Sequence, residues 1–183
     1  TDDLPWSVKL EEWIPSLLQT HTPLFCICYG HQLLARAAGG QVGFHLLGKE
    51  IGTVGVNLLS DCAYDPLFRS LPQSYFVHAT HAQTVLDLPT GTTCLAGNRF
   101  EPNHAFRLGD SAWGVQFHPE YSADIMRSYI EQQANELVSA GQNVSKLLCA
   151  VVETPVAAQT LRNFGNIVKR RMANKTVAPD RRG

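Results

Sequence analysis

The sequence of 183 residues lacks long apolar runs and carries little charge. No uncharged apolar stretch approaches the roughly 20 residues that a membrane-spanning helix needs. Charged residues make up 17% of the chain and the net charge is −1, so nothing attracts it generally to nucleic acid or to an anionic membrane. The hydrophobic fraction of 44% is ordinary for a globular protein. The composition therefore predicts a globular domain with a buried core and no nucleic-acid or membrane partner.

Cysteines are few, odd in number and scattered, at positions 26, 28, 62, 94 and 149. They do not form the even, closely spaced set that is typical of a disulfide framework. The first five residues, TDDLP, have neither the basic start nor the apolar run of a signal peptide. We therefore expect a reducing, cytoplasmic location. No Cys and His pairs have the spacing of a zinc site, so no metal site is expected. No organic cofactor is expected either, because the chemistry that the motifs below indicate needs only a thiolate, an imidazole and backbone N–H groups.

One segment is typical of a catalytic nucleophile. An apolar run over residues 23–27 leads into Cys28, and Gly30 opens a helical pattern two residues later. A strand-to-helix turn of this kind exposes the nucleophile at the edge of a sheet. A thiol at that place also lies at the positive end of the helix dipole, which favours the reactive thiolate. Cys28 is therefore predicted to be a nucleophile and not a buried core cysteine.

A second segment, WGVQFHPE at residues 113–120, supplies a base and a carboxylate after an apolar strand. Pro119 disfavours helical geometry at the preceding residue and so keeps His118 extended. His118 and Glu120 are two residues apart and can then project to the same side. His118 is predicted to act as the general base for Cys28 and to protonate the leaving group, while Glu120 orients its imidazole. Together the two segments predict a Cys-His-Glu triad.

These two segments resemble the class I (triad-type) glutamine amidotransferases, whose members carry Gly-x-Cys-x-Gly-x-Gln and Gln-Phe-His-Pro-Glu segments. The intervening sequences AAGG at 37–40 and GKEIG at 48–52 also fit, as does His81 after an apolar strand. The resemblance runs over residues 5–130 and is to the stand-alone branch similar to the amidotransferase half of guanylate (GMP) synthetase. Cys26 stands where the family pattern has glycine.

The resemblance implies an α/β fold: a mainly parallel open sheet flanked by helices, flavodoxin-like, with an antiparallel extension. Residues 1–140 would form the amidotransferase domain, 141–172 a C-terminal helical extension and 173–183 a basic tail. In the family, further strands and a glycine loop that supplies one of two oxyanion-hole N–H groups precede the region where this chain begins. These N-terminal strands are missing here, so we expect either that the native protein extends upstream of Thr1 or that this is a truncated form.

The resemblance also implies six substrate-binding residues: Tyr29, Gly30, Gln32, His81, Ala82 and Gln83. Tyr29 would lend its backbone N–H to the oxyanion, and Gln32 would contact the bound glutamine. Residues 81–83 would meet the α-amino and α-carboxylate groups of the substrate, largely through backbone atoms. Relatives often have an acid where Gln83 stands, which weakens the case for charge-based recognition of the amine there.

The function expected from this pattern is hydrolysis of the glutamine side-chain amide through a cysteine γ-glutamyl thioester, with release of ammonia. The ammonia would pass to a separate synthetase subunit. A hydrolase of γ-glutamyl peptides or conjugates is the alternative, because it uses the same triad and the same thioester. A non-catalytic interaction module is a second alternative; the intact triad argues against it and the missing oxyanion loop argues for it.

Periodicity gives a coarse map of the elements. Helices are predicted at 2–20, with a kink at Pro15, at 30–38, from Asp65, and at 122–140 and 144–172. Strands are predicted at 23–28, around 54–58, and at 74–79, 92–97, 103–108 and 112–118.

Overall fold

The protein is described here by a computed structural model that covers residues 3–177. Its helices are α1 (Pro5–Gln19), α2 (Tyr29–Ala37), α3 (Ala123–Gln132), α4 (Ala134–Ser139), α5 (Val144–Ala150) and α6 (Pro155–Val177). Its strands are β1 (Leu24–Ile27), β2 (Gln41–Phe44), β3 (Glu50–Leu58), β4 (Ser74–His81), β5 (Gln83–Asp87), β6 (Thr92–Gly97), β7 (Ala105–Leu108) and β8 (Ala112–Val115). A short 3₁₀ helix spans Ser60–Tyr64. None of the helices in the described range has the length and apolar character needed to cross a membrane.

Six strands form a mixed sheet in the order β1-β8-β7-β6-β3-β4, and β2 pairs with β5 in a separate antiparallel ribbon. The α/β class with flanking helices is confirmed. The proportion of parallel pairing differs from the expectation of a mainly parallel sheet: within residues 3–177, β1 with β8 is the parallel pair and the other pairings are antiparallel. The short connections from β6 to β7 and from β7 to β8 explain this, because a parallel connection needs a crossover of a dozen or more residues.

Strand β8 lies between β1 and β7, and all four of its residues are buried. Its side chains alternate between two cores. Trp113 and Val115 face a cluster completed by α6, whereas Ala112 faces a second cluster built on α2 and α1. A third cluster joins β3 to α3, α4 and α5. The C-terminal helices thus pack into the same body as the sheet.

Helix α2 lies directly against β8 because position 114 has no side chain. A Cβ on Gly114 would lie 2.7 Å from His31 Nδ1 and 3.1 Å from the Phe106 ring. His31 is completely buried there, with its ring centroid 4.7 Å from that of Phe106. Burial lowers the pKa of His31 to about 3, so this histidine is a neutral part of the core.

Several boundaries differ from the sequence-based expectations for local reasons. Helix α1 starts at Pro5 and continues through Pro15 to Gln19, while Asp3 pairs with Arg36 at 2.9 Å and does not cap the helix. The short helix precedes Asp65, because the buried Asp65 carboxylate accepts a hydrogen bond from Leu67 N–H and shapes a turn there. Strands β2 and β5 were not predicted. Residues 1, 2 and 178–183, which include most of the expected basic tail, lie outside the described residues.

Candidate active site

Cys28 occupies a strained turn between β1 and α2. Its backbone has φ 48° and ψ −102°, in the left-handed region that non-glycine residues seldom adopt. The turn is fixed on one side by the Cys28 N–H, which donates to the Val115 carbonyl at 2.8 Å. On the other side the Cys28 carbonyl accepts from the Gln32 N–H at 3.2 Å, the first bond of α2. The sulfur is therefore presented at the N-terminus of a helix, as expected of a nucleophile.

The unusual cysteine at position 26 fits beneath this turn. Cys26 is buried, and a Cβ on Gly30 would lie 3.5 Å from its Cβ, an ordinary van der Waals distance. Burial raises the pKa of Cys26 to about 12, which keeps its thiol protonated and unreactive. The two cysteines thus differ in accessibility, because Cys26 is enclosed in the core whereas Cys28 is partly exposed.

His118 and Glu120 form a close pair beside Cys28. The His118 N–H donates to the His78 carbonyl at 2.8 Å, which anchors the segment after β8 to β4. His118 Nδ1 lies 2.7 Å from Glu120 Oε1, which leaves Nε2 for the thiol. Burial lowers the pKa of His118, but hydrogen bonds with Cys28 and Glu120 outweigh it and raise that pKa to about 9. The contacts with Cys28 and Glu120 therefore favour the protonated form of the imidazole.

The titration of His118 tests this electrostatic arrangement. In an NMR pH titration, we expect the His118 ring to titrate near pH 9. Glu120→Gln should lower that pKa toward or below 6.5, the ordinary value, because the carboxylate that favours the charged ring is lost. Glu136→Gln, which removes an exposed carboxylate paired with Lys49, is the matched control and should leave the titration unchanged. An unchanged His118 pKa in Glu120→Gln would contradict the pairing.

An aromatic stack fixes the plane of the His118 ring. Tyr121 lies parallel to it, with ring centroids 4.0 Å apart and planes 13° apart, and Tyr129 stacks behind Tyr121 at 5.1 Å. An aromatic face at this distance also favours the charged imidazolium over the neutral ring. The sequence analysis did not identify Tyr121. Its position next to the Gln-Phe-His-Pro-Glu segment was the one signal available.

The segment 80–83 lies near the start of α2, where Cys28 and Gln32 contact it. Cys28 Sγ lies 4.0 Å from the Thr80 carbonyl, and Gln32 Nε2 donates to the Gln83 carbonyl at 2.9 Å. His81 Nδ1 lies 3.0 Å from the same carbonyl, and Ala82 accepts from a backbone N–H through its own carbonyl. Of the segment, Thr80 thus contacts Cys28 and Gln83 contacts Gln32, while Tyr29 and Gly30 form the start of α2 directly after Cys28. Gln32 is only 3% exposed, so its amide lies inside this cluster.

A buried carboxylate holds the 81–83 turn in place. Glu50 Oε2 lies 3.0 Å from His81 Nε2 and 3.1 Å from His104 Nε2, and Glu50 Oε1 accepts from Asn98 Nδ2 at 2.9 Å. Burial raises the pKa of Glu50, but hydrogen bonds with His104, His81 and Asn98 lower it more, so this pKa lies well below its ordinary range. Sequence reasoning missed this cluster, because it unites residues from four separate segments.

Gln116 also lies against Cys28. Its Nε2 donates to Cys28 Sγ at 3.5 Å, and its Oε1 accepts from Gln32 Nε2 at 3.0 Å. Gln116 belongs to the segment at residues 113–120, but no role was predicted for it from the sequence. Among residues 3–177, no group of three or more His, Cys, Asp or Glu side chains is arranged to hold a metal ion.

Comparison with known proteins shows the family of this chain. The family model described as glutamine amidotransferase class-I matches residues 7–137. Gamma-glutamyl peptidase 3 of Arabidopsis thaliana is 30% identical over 139 residues, which are 73% of this chain and 55% of that protein. The glutamine-hydrolysing GMP synthase of Porphyromonas gingivalis is 40% identical over 120 residues, which are 65% of this chain and 22% of that protein. The chain thus spans about half the length of the first relative and about a fifth of the second.

Solved structures show the same fold. The crystal structure of a glutamine amidotransferase from Thermotoga maritima superposes with a TM-score of 0.75 at 31% identity, over 90% of this chain and 70% of that one. A glutamine amidotransferase from Methylobacillus flagellatus gives a TM-score of 0.75 at 25% identity, over 94% of this chain and 71% of that one.

Proposed function

Because this chain belongs to the class-I glutamine amidotransferase family, we propose that it hydrolyses the side-chain amide of glutamine through a γ-glutamyl thioester on Cys28 and releases ammonia. The observation that carries the proposal is the nucleophile turn: a cysteine with φ 48° at the N-terminus of α2, in hydrogen-bond contact with a histidine that a carboxylate orients. A core cysteine needs neither backbone strain nor a charged imidazole beside it.

The reaction follows from these three side chains. The Cys28 thiolate attacks the amide carbon of glutamine, and the carbonyl oxygen becomes an oxyanion. The His118 imidazolium gives its proton to the amide nitrogen, the C–N bond breaks, and ammonia leaves with a thioester in place. His118, now neutral, takes a proton from water, whose oxygen attacks the thioester carbon and regenerates the thiolate with free glutamate. Glu120 keeps the imidazole oriented through both steps.

We propose that the oxyanion forms beside the first turn of α2, where the N–H of Tyr29 follows directly after the nucleophile and Gly30 adds no side chain that could block it. The α-amino and α-carboxylate groups of glutamine would meet the backbone of residues 81–83. The contacts of that segment with Cys28 and Gln32 support this placement.

A second candidate function is hydrolysis of γ-glutamyl peptides or conjugates, and the Arabidopsis gamma-glutamyl peptidases among the relatives favour it. The thioester and the triad are then the same, and the leaving group is an amine in place of ammonia.

For the first function, the released ammonia would pass to a separate synthetase subunit. The free cysteines support a reducing, cytoplasmic location, where thiols persist.

Two measurements on the chain of 183 residues test the proposal. Incubation with a glutamine analogue that carries a diazoketone in place of the amide should add one label per chain, mapped by mass spectrometry to Cys28. Glutamine should yield ammonia and glutamate, and a γ-glutamyl dipeptide should yield its free amino acid if the second function holds. Cys28→Ala should abolish labelling and turnover, whereas the core variant Cys26→Ala should keep both. Labelling elsewhere, or a fully folded protein that takes no label, would overturn the proposed function.

A further inference from the structure

The amide of Gln116 completes a line of hydrogen bonds that ends on the reacting sulfur. We propose that Gln116 is a catalytic residue that stabilises the Cys28 thiolate through its side-chain N–H. This inference rests on the proposed function. A chain of hydrogen bonds runs from the Gln83 carbonyl through the Gln32 and Gln116 side chains to Cys28. We call this chain the amide relay. The Gln32 and Gln116 side chains are buried, whereas Cys28 is partly exposed.

The orientation of both amides follows from one backbone carbonyl. The Gln83 carbonyl can only accept, so the Gln32 atom 2.9 Å away from it must be the donor Nε2. The same Nε2 lies 3.0 Å from the Gln116 amide, whose facing atom must then be the acceptor Oε1. Gln116 Nε2 is consequently the atom directed at Cys28 Sγ, at 3.5 Å. Reversing the Gln116 amide would set two donors against each other and an oxygen against the thiolate.

A hydrogen-bond donor that cannot lose its proton stabilises the Cys28 thiolate in a way that His118 cannot. His118 gives up its proton during the reaction, so its support of the thiolate is lost when the ring is neutral. Gln116 donates at every pH, and its bond strengthens when sulfur becomes charged. The amide relay also holds the donor rigidly, because Gln116 is completely buried and its backbone N–H donates to the His104 carbonyl at 2.8 Å.

Other ionisable groups also act on the Cys28 sulfur. His118 bonds to it, Glu120 acts through His118, and the Tyr121 hydroxyl lies near enough to interact electrostatically. From β4 the sulfur meets the Thr80 carbonyl, which is neutral, and beyond it lies the Glu50–His81 pair. All of these groups remain in the chain when Gln116 is replaced, so the substitution removes the amide donor and no ionisable group.

The test is the pH dependence of iodoacetamide alkylation at Cys28, followed by peptide mapping. Gln116→Leu keeps the side-chain volume and removes the donor. We expect the half-maximal rate to move up by about one pH unit, which is a roughly tenfold smaller thiolate fraction below the midpoint. Gln116→Glu should move it further, because a carboxylate then faces the sulfur. Gln132→Leu, at the exposed end of α3, is the matched control and should leave the midpoint unchanged.

Each result of the alkylation test either supports or contradicts the role of Gln116. An unmoved midpoint in a folded Gln116→Leu protein, checked by its urea transition, would overturn the role of Gln116. If that variant does not fold, Gln32→Met removes the amide that orients Gln116, together with its hydrogen bond to the neutral Gln83 carbonyl, and leaves the Gln116 donor in the chain. Its midpoint should rise by a smaller amount; no rise would again overturn the inference. The alkylation needs no glutamine turnover. A shifted midpoint in a protein that hydrolyses neither glutamine nor γ-glutamyl peptides would therefore reject the proposed function and keep the amide relay.

Discussion

Replacing His118 with alanine is expected to lower kcat for glutamine hydrolysis by about 10⁴-fold or more, because both proton transfers lose their carrier. The effects of replacing Cys28 and His118 on the rate of glutamine hydrolysis should be non-additive. Since Cys28 and His118 act as one unit, the double variant Cys28→Ala/His118→Ala should be no slower than Cys28→Ala alone. Steady-state ammonia release measures both. The pH profile of the residual His118→Ala activity should also lose the titration that is assigned to His118 near pH 9.

His21→Ala is the matched control for this prediction. His21 is exposed and pairs with the exposed Asp110 at 2.9 Å on the surface, so its removal should leave turnover within twofold, about the scatter of a surface substitution. A His118→Ala protein that keeps a tenth or more of the wild-type rate would show that another group carries the proton.

The largest effect on stability is expected for Trp113→Ala. Trp113 is 1% exposed, fills the core between β8 and α6, and donates its indole N–H to the buried Asp65 carboxylate. Truncation leaves a cavity and takes one donor from that carboxylate, which should lower the free energy of unfolding by about 3–5 kcal/mol. Urea denaturation followed by circular dichroism measures the change.

The chain offers a control of the same residue type. Trp13 lies on α1 and is 57% exposed, so Trp13→Ala removes the same atoms with little loss of buried area. Its expected cost is no more than about 0.5 kcal/mol. Equal losses for the two variants would mean that β8 is not the centre of the core described here.

The strands and the nucleophile turn were predictable because their signals are local. The apolar run before Cys28 and the glycine after it specify a strand, a turn and a helix in one short segment, and the structure has them at Leu24–Ile27 and Tyr29–Ala37. Strand β6 was predicted with its observed bounds, Thr92–Gly97. By contrast, β2 and β5 are short and partly exposed, and their pairing depends on each other, which no local pattern reports.

The residues of the candidate site also fall into those that a local sequence pattern predicts and those that it does not. His118 and Glu120 were predictable as partners because two residues in an extended segment share a side. The Glu50, His81 and His104 cluster was not, since its members come from β3, β4 and the loop before β7 and meet only in the folded chain. Gln116 carried a weak signal: it stands two residues before His118, but only the position of Gln32 on α2 shows which way its amide points.

The close approach of α2 to β8 has an evolutionary consequence. His31 and Gly114 share one fixed volume, since a single Cβ at position 114 would lie 2.7 Å from the imidazole. That volume also sets how far the helix bearing Cys28 stands from the strand that leads to His118. Positions 31 and 114 therefore cannot drift independently. A lineage that gains a side chain at 114 needs room from both His31 and the Phe106 ring, which the new Cβ would meet at 2.7 and 3.1 Å, or the helix that bears Cys28 moves away from the strand that leads to His118.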